Sequence, residues 1–204
     1  MANPYWSVVL PSAGVNLLRN PSLERNSTDW ADPSASLAGR ESSAKTHGAF
    51  SHVANPVGFI DYVQLVGIGP FTAGAGTAYS LSMDLRNTEG TIRLGVANNA
   101  DMSLGAFQGS STFFIGGGTW ARRGFSYTEP SGGVRYFIVA INGAAATGST
   151  YMDGAQVEVG SVTTYIDGDQ DGCYWTGAPH LSASVRSGTY RGGGSVVSLA
   201  SLGF

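Results

Sequence analysis

Short segments of alternating apolar and polar residues, separated by glycine-rich turns, constrain this chain most strongly. In YSLSMDLR (residues 79–86) every second side chain is apolar, and Thr91–Val96 alternates similarly. In Tyr151–Val159 the alternation predicts that Ala155, Val157 and Val159 face inward and that Gln156 and Glu158 face outward. A period of two is that of a β-strand with one buried face. No window of eleven residues carries an apolar helical stripe between helix start and stop signals. The pattern therefore predicts an all-β chain.

Roughly eight such segments over ~150 residues predict an antiparallel β-sandwich, jelly rolls included. Charged residues make up 12% of the chain and its net charge is −3, without a cluster of Lys and Arg. This excludes the basic footprint of nucleic-acid binding. No apolar run approaches the ~18 residues of a membrane helix, so we expect no membrane insertion. The single cysteine, Cys173, excludes an internal disulfide and a Cys-based zinc site.

Composition divides the chain into three parts. Residues 1–15 are predicted to form an extended N-terminal arm or strand, and residues 16–162 the sandwich. Residues 163–204 have turn signals and aromatics but little alternation, which predicts an irregular C-terminal segment for docking or assembly. Its closing run SVVSLASLGF is apolar and must pack on the domain, on another copy or on further chain. The N-terminus lacks the basic and apolar regions of a secretory signal, so we expect synthesis in a cytoplasm.

Two stretches resemble a known family. Asn16–Trp30, with the core NLLRNPSLE, looks like the opening of the jelly-roll carbohydrate-binding modules attached to xylanases and cellulases. Tyr151–Ile166 is similar to their closing strand in the form seen in phage tail proteins. YSLSMDLR and TWARRGFSYT (residues 119–128) fit the middle strands. The resemblance covers residues 16–166 and implies a carbohydrate-binding-module-like jelly roll.

A second resemblance extends over Tyr165–Arg186. This segment is similar to one that follows such modules in minor or distal tail proteins of tailed bacteriophages. It implies a structural protein of the phage tail or baseplate, packed in multiple copies with other tail proteins, located in the virion and made in the host bacterial cytoplasm. Contact with host surface polysaccharide is part of this expectation. The alternative is a non-catalytic carbohydrate-binding module of a glycan-degrading system, and a remote alternative is a glycoside hydrolase.

The first resemblance also implies a structural calcium ion. In these modules a carboxylate of the opening motif and one of the closing strand meet, which here are Glu24 and Asp153, with backbone carbonyls near Asn16 and Leu17. Calcium takes six to eight oxygen ligands. The sequence departs from the family at Gly154, where many relatives carry a second acid. The alternative is that Glu24 caps a turn and Asp153 hydrogen-bonds to backbone.

The acidic run DGDQDG (residues 167–172) matches the first half of an EF-hand loop. The twelfth position would be Ala178 rather than the bidentate glutamate of such loops. No helix pattern flanks the run. We therefore favour a tight acidic turn that uses its glycines at positive φ.

Saccharide binding needs flat aromatic rings and polar groups on one sheet face. The candidates are Tyr62 and Gln64 on the strand 59–66, Arg93 on the polar face of Thr91–Val96, and Tyr136. Buried tyrosines also serve as core residues with a bonded hydroxyl, which is the alternative for both tyrosines.

Catalytic signals are weak. His47, His52 and His180 are scattered, and neither G-x-S-x-G nor H-E-x-x-H occurs. Paired carboxylates of a glycoside hydrolase could still meet in space. We expect a non-enzyme, and an inert thiol at Cys173, since nearby carboxylates disfavour the thiolate.

Overall fold

The computed structural model describes residues 13–27, 29–31, 38–54, 63–87, 90–100, 107–114, 117–142, 148–187, 191–192 and 195–196. Of these, only the backbone is described at 38, 63–65, 114, 142, 191–192 and 195–196. Tyr62 and the apolar ends of the chain, at 1–12 and 197–204, lie outside the described residues.

The described chain contains strands and turns. In order, the strands are β1 (Gly14–Asn16), β2 (Trp30–Ala31), β3 (Ala38–Glu41), β4 (Ser51–Ala54), β5 (Val63–Ala73), β6 (Ala78–Asn87), β7 (Thr91–Ala97), β8 (Gly109–Phe114), β9 (Ala121–Thr128), β10 (Gly133–Asn142), β11 (Thr150–Val159), β12 (Cys173–Trp175), β13 (Ser184–Arg186), β14 (Arg191–Gly192) and β15 (Ser195–Val196). Among these residues there is no helix long and apolar enough to cross a membrane.

Two five-stranded antiparallel sheets form a sandwich. The first sheet has the order β2-β5-β10-β7-β8, and the second has the order β3-β4-β11-β6-β9. One hydrophobic core lies between them, to which both sheets contribute, as Val139 of β10 and Leu81 of β6 illustrate. The alternation read from β6 is confirmed, because Tyr79, Leu81, Met83 and Leu85 are all buried in this core. The predicted all-β class therefore holds.

The outer face of the first sheet is partly covered by the chain that links β7 to β8. A Cβ atom added at Gly67 would lie 2.5 Å from the carbonyl oxygen of Ala100, and one at Gly95 only 2.1 Å from the ring of Phe107. Only glycine permits such close approach. Ile138 and Ala140, which alternate with the core residues of β10, are therefore buried on this face as well.

The outer face of the second sheet is partly covered by the segment that follows β11. Gln156 and Glu158 alternate with core residues, as the pattern predicted, but they are buried instead of solvent-exposed. The Gln156 side-chain oxygen accepts the Ile166 N–H at 2.7 Å, and Glu158 accepts the Thr163 N–H at 2.8 Å. Val159, expected to point inward, is 62% exposed.

A small sheet of order β1-β13-β12 joins the first described strand to the segment that follows β11, and β14 and β15 form a separate two-stranded sheet. The Asn16 amide donates to the carbonyls of Ala155 and Ile166, at 2.9 and 3.1 Å. Its oxygen accepts the Val157 N–H at 3.1 Å. Strand β1 thus extends across the predicted boundary between the N-terminal arm and the sandwich at residue 15. The described part of the C-terminal segment is irregular apart from its short strands. The predicted domain limits themselves remain a prediction.

Candidate functional site

Two cavities flank the segment that crosses the second sheet. The serine cleft, of about 250 Å³, is lined by Ser80, Ser82, Arg122, Arg123, Gly124, Phe125, Ser126, Val162 and Thr163. The acidic pocket, of about 190 Å³, is lined by Ser22, Glu24, His47, Gly48, Tyr165, Asp167, Asp169 and Gln170. Arg122 lies between the two cavities, with its guanidinium carbon 5.4 Å from the centre of the Tyr165 ring.

The serine cleft follows from the pairing of β6 with β9. Ser80 lies opposite Ser126, and Ser82 lies opposite Gly124. The Ser80 and Ser126 hydroxyls are 2.9 Å apart. A Cβ at Gly124 would lie 2.5 Å from the Leu81 carbonyl oxygen, so glycine is needed here and leaves the floor open. The result is a serine-lined depression in which Ser126 is exposed, while Ser80 is buried and donates its hydroxyl to the Gly160 carbonyl at 2.5 Å. Val162 is the exposed apolar residue of the lining, since Phe125 pairs with Leu81 and packs against the core.

A fixed charge cluster separates the cavities. His47 Nε2 lies 2.7 Å from Asp84 Oδ2, and Arg122 Nη1 lies 3.3 Å from the same oxygen. Burial alone would raise the pKa of Asp84, but hydrogen bonding to His47 and the charge of Arg122 lower it overall. The His47 ring packs on the Tyr165 ring with 4.1 Å between centroids. Arg122 is therefore held rigidly at the end of the cleft.

The acidic pocket contains hydrogen-bonded carboxylates. Asp167 Oδ2 accepts the Ser22 hydroxyl at 2.7 Å and the Tyr165 hydroxyl at 2.9 Å. Burial, together with the nearby charge of Asp167, raises the pKa of Tyr165 well above its usual value. Tyr165 thus stays a neutral donor.

The two predicted calcium ligands hold one loop from two sides. We call residues 42–50, which join β3 to β4, the amide loop. Asp153 Oδ2 accepts the N–H groups of Thr46 and His47 at 2.7 and 2.8 Å. Glu24 Oε1 accepts those of Ala49 and Phe50 at 2.8 and 3.0 Å. Burial raises the pKa of Asp153, and the hydrogen bonds from Thr46 and His47 offset part of that rise.

These contacts match the alternative in which Glu24 caps a turn and Asp153 hydrogen-bonds to backbone. Calcium would take its oxygen ligands from carboxylates that already accept N–H groups of the amide loop. Asn16, one of the expected backbone neighbours, uses its side chain to join β1 to β11, and the Leu17 N–H donates to the Val157 carbonyl at 2.8 Å. A Cβ at Gly154 would lie 2.5 Å from the His47 ring, so a second acid has no room there. Calcium at Glu24 and Asp153 stays a prediction.

The acidic run 167–172 forms a tight turn. Asp167 Oδ1 accepts the Asp169 N–H at 3.1 Å, and Gly172 has a φ of 77°. Asp169 also accepts the Trp175 indole N–H at 2.9 Å and lies 3.0 Å from His180 Nε2. Ligand atoms of Asp167, Asp169 and His180 lie within 4.8 Å of one another. These hydrogen bonds account for the packing of the turn.

The predicted saccharide residues are only partly brought together. Arg93 and Tyr136 lie on strands that are paired in the first sheet, where the partner of Tyr136 is Ala97, four residues beyond Arg93. Arg93 lies over the Phe107 ring at 4.3 Å and donates to Ser110 Oγ at 2.9 Å. The Gln64 backbone pairs with Ile141, whereas Ala140 pairs with Arg93. A shared site of Arg93 and Tyr136 therefore remains a prediction for this face.

Sequence reasoning missed the serine cleft, although its signal was present. Ser80 and Ser82 lie on the polar face of YSLSMDLR, and Arg122 and Arg123 form the only pair of adjacent arginines in the sequence. The pairing of β6 with β9 brings these groups together. Because such pairing joins residues about forty positions apart, a local pattern could not reveal it.

No protein-family model and no curated protein sequence matches the chain. The carbohydrate-binding module TmCBM61, solved in complex with β-1,4-galactotriose, is 16% identical, with a TM-score of 0.52 over 70% of this chain and 97% of its own. The enzymatically active domain of tailspike protein 4 from bacteriophage CBA120 is 12% identical, with a TM-score of 0.54 over 71% of this chain but 21% of its own. A cyclase from Fischerella sp. TAU is 13% identical, with a TM-score of 0.55 over 75% of this chain and 100% of its own.

At these identities the likeness concerns the fold. It confirms the predicted antiparallel sandwich, and different functions occur on this fold. The chain thus has the carbohydrate-binding-module-like β-sandwich fold.

Proposed function

We propose that the chain is a non-catalytic saccharide-binding protein and that the serine cleft is its binding site. The observation that carries this proposal is the cleft itself, an open depression with the exposed Ser126, the buried Ser80 and Ser82 beneath it, an arginine fixed at one end and the exposed Val162 beside it. Sugars present hydroxyl groups around an apolar ring face, which such a lining complements. The cavity of about 250 Å³ suits a single unit of a longer chain more than a large ligand. The fold of TmCBM61, solved with a galactotriose, supports the same reading.

Blocking the cleft tests the proposal. Ser126→Trp places an indole over the cleft from the exposed edge strand β9, and we expect it to abolish retardation of the protein in gels containing the polysaccharides that retard the wild type. Thr112→Trp, on the exposed strand β8 of the other sheet, is the matched control and should bind normally. If only Thr112→Trp loses binding, the face with Arg93 and Tyr136 is the site instead.

We further propose that this protein acts in a bacteriophage tail, as a virion component made in the host cytoplasm and assembled from multiple copies with other tail proteins. Val15, Val185 and Tyr174 form a row across the small sheet, since both Val15 and Tyr174 pair with Val185. Val15 and Tyr174 are 40% and 42% exposed. Exposed apolar rows of this kind favour association with another protein surface. The shared fold of the phage tailspike domain is compatible with this role.

The oligomeric state tests the tail proposal. We expect the full chain to sediment as an oligomer, and Val15→Asp combined with Tyr174→Asp to shift it to the monomer, because a charge in an apolar interface is costly to desolvate. Gln108→Asp, at an exposed position outside the small sheet, should leave the oligomer intact. A wild type that is monomeric at all concentrations, and is not found in multiple copies in a virion, contradicts this role.

A further inference from the structure

The sequence contains three Asp-Gly pairs, at residues 153–154, 167–168 and 171–172. In such a pair the backbone nitrogen of the glycine can attack the carboxyl carbon of the aspartate side chain, because no Cβ of the glycine stands in the way. The attack needs a glycine N–H that is not hydrogen-bonded and a carboxyl group that is free to turn toward it. These two requirements distinguish the three pairs.

The pair that begins at Asp153 is closed. Asp153 is fully buried, its Oδ1 already accepts the Gly154 N–H at 2.7 Å, and its Oδ2 accepts the N–H groups of Thr46 and His47. A Cβ at Gly154 would lie 2.5 Å from the His47 ring, so this glycine is enclosed. The Asp153 carboxylate thus presents oxygen atoms to the Gly154 nitrogen and cannot rotate without losing these hydrogen bonds.

The pair that begins at Asp167 is closed as well. This aspartate is 5% exposed and accepts the hydroxyls of Ser22 and Tyr165. A Cβ at Gly168 would lie 2.4 Å from the Trp175 ring, so the indole covers this glycine. Reaction at either closed pair requires local opening of the structure first.

The pair that begins at Asp171 is open. Asp171 is solvent-exposed, and its carboxylate accepts no hydrogen bond from the residues that the structure describes. Gly172 has a φ of 77°, and a Cβ there would meet no atom within 4 Å. Within the same described part of the chain, the Gly172 N–H has no hydrogen-bond acceptor. Of the three pairs, this one therefore meets both requirements.

We propose that Asp171 is a site of spontaneous modification, at which the aspartate isomerises to isoaspartate while Asp153 and Asp167 remain intact. The Gly172 nitrogen forms a bond to Asp171 Cγ, a carboxyl oxygen leaves as water, and a five-membered succinimide results. Water then adds to the ring. Cleavage of the bond between the nitrogen and the main-chain carbonyl carbon gives isoaspartate, whereas cleavage at Cγ restores aspartate. The water released in the first step balances the water consumed in the second, so no other co-reactant is needed.

Isomerisation lengthens the main chain by one methylene group at the turn before β12. The Cys173 N–H donates to the Gln170 carbonyl across this turn at 2.9 Å. The next residue, Tyr174, belongs to the exposed apolar row of the small sheet. Because the proposed association uses this row, the modified chain should self-associate more weakly. The isomerisation itself does not depend on that proposal.

The test ages the full chain in warm, mildly acidic buffer, both native and unfolded in guanidinium chloride. Digestion followed by mass spectrometry with electron-transfer fragmentation then quantifies isoaspartate at each Asp-Gly pair. In the unfolded chain we expect similar rates at all three pairs. In the native chain Asp171 should react at nearly the unfolded rate, and Asp153 and Asp167 roughly tenfold or more slowly, since they react only from locally opened states.

Asp171→Glu is the matched control, because it keeps the charge but would need a six-membered ring, which forms much more slowly. Its aged sample should contain no isomer at position 171 and should sediment like the fresh protein. The aged wild type should instead shift toward the monomer.

Isoaspartate at position 171 that accumulates no faster than at 153 and 167 in the native chain overturns the proposal. Isomer at 171 with unchanged sedimentation upholds the modification and refutes only its effect on association. If the fresh wild type is already monomeric, the proposed association fails, and the peptide map alone decides the modification.

Discussion

Replacing Glu129 by alanine is expected to lower the free energy of unfolding by about 3–5 kcal/mol, the range for a buried ion pair that loses one partner. Glu129 is fully buried and Arg135 is 6% exposed. Its carboxylate accepts Arg135 Nη2 at 2.5 Å and Nε at 2.9 Å. It also accepts the Tyr127 hydroxyl at 3.0 Å and the Gly132 N–H at 3.0 Å. The variant leaves a buried guanidinium without a counter-charge.

Urea denaturation of single and double variants measures this effect. Because the cost comes from the unpaired charge, Glu129→Leu combined with Arg135→Met should recover much of the stability lost in Glu129→Ala. If Glu129→Ala lowers the free energy of unfolding by less than about 1 kcal/mol, as for an exposed ion pair, the interpretation of Glu129 and Arg135 as a buried ion pair is contradicted.

The Glu129 carboxylate also makes the free energy of unfolding depend on pH, with stability lost on the acid side. Burial by itself raises the pKa of Glu129, but the hydrogen bonds from Arg135, Ser131 and Tyr127 outweigh it, so the folded pKa lies below the usual value. The stability from this group is complete above the unfolded pKa of about 4.3 and is lost as pH falls through the lower folded pKa. Glu129→Gln should therefore flatten the loss of stability on the acid side.

The sequence predicted the sandwich because alternation is a local signal. In β6 the core residues and the polar face follow directly from spacing, and both were assigned correctly. Burial on the outer faces could not be predicted in this way. Gln156 and Glu158 have the spacing of exposed residues, and only the later segment around Thr163 and Ile166 covers them.

The candidate site was harder to predict than the fold, because it depends on distant pairings. Ser82 and Gly124 face each other through β6 and β9, and neither residue alone indicates a cleft. Glu24 and Asp153 were singled out by resemblance. The structure places them against the amide loop, whose N–H groups face both carboxylates, and no sequence pattern shows which backbone groups a carboxylate will meet.

Removing the Asp153 carboxylate, which holds the amide loop, is the second change expected to have a large effect on stability. Asp153→Ala is expected to lower the free energy of unfolding by about 2–4 kcal/mol, because one buried and two partly buried N–H groups lose a charged acceptor. Asp153 is fully buried, and besides Thr46 and His47 it accepts the Gly154 N–H at 2.7 Å. Thermal denaturation measures the loss, and hydrogen exchange should show faster exchange of the loop amides in the variant.

A carboxylate that accepts backbone N–H groups and one that binds calcium respond differently to two treatments. If Glu24 and Asp153 only accept backbone N–H groups, the wild-type Tm should be the same in chelator and in excess calcium. If they bind a calcium ion in the native state only, the Tm should be higher in excess calcium. Glu24→Gln separates the cases further, because the glutamine carbonyl can still accept the Ala49 and Phe50 N–H groups. We expect that variant to stay within about 1 kcal/mol of the wild type, and Glu24→Ala to lose more. A Tm that falls in chelator, together with a Glu24→Gln variant insensitive to calcium, would instead establish the calcium site at Glu24 and Asp153.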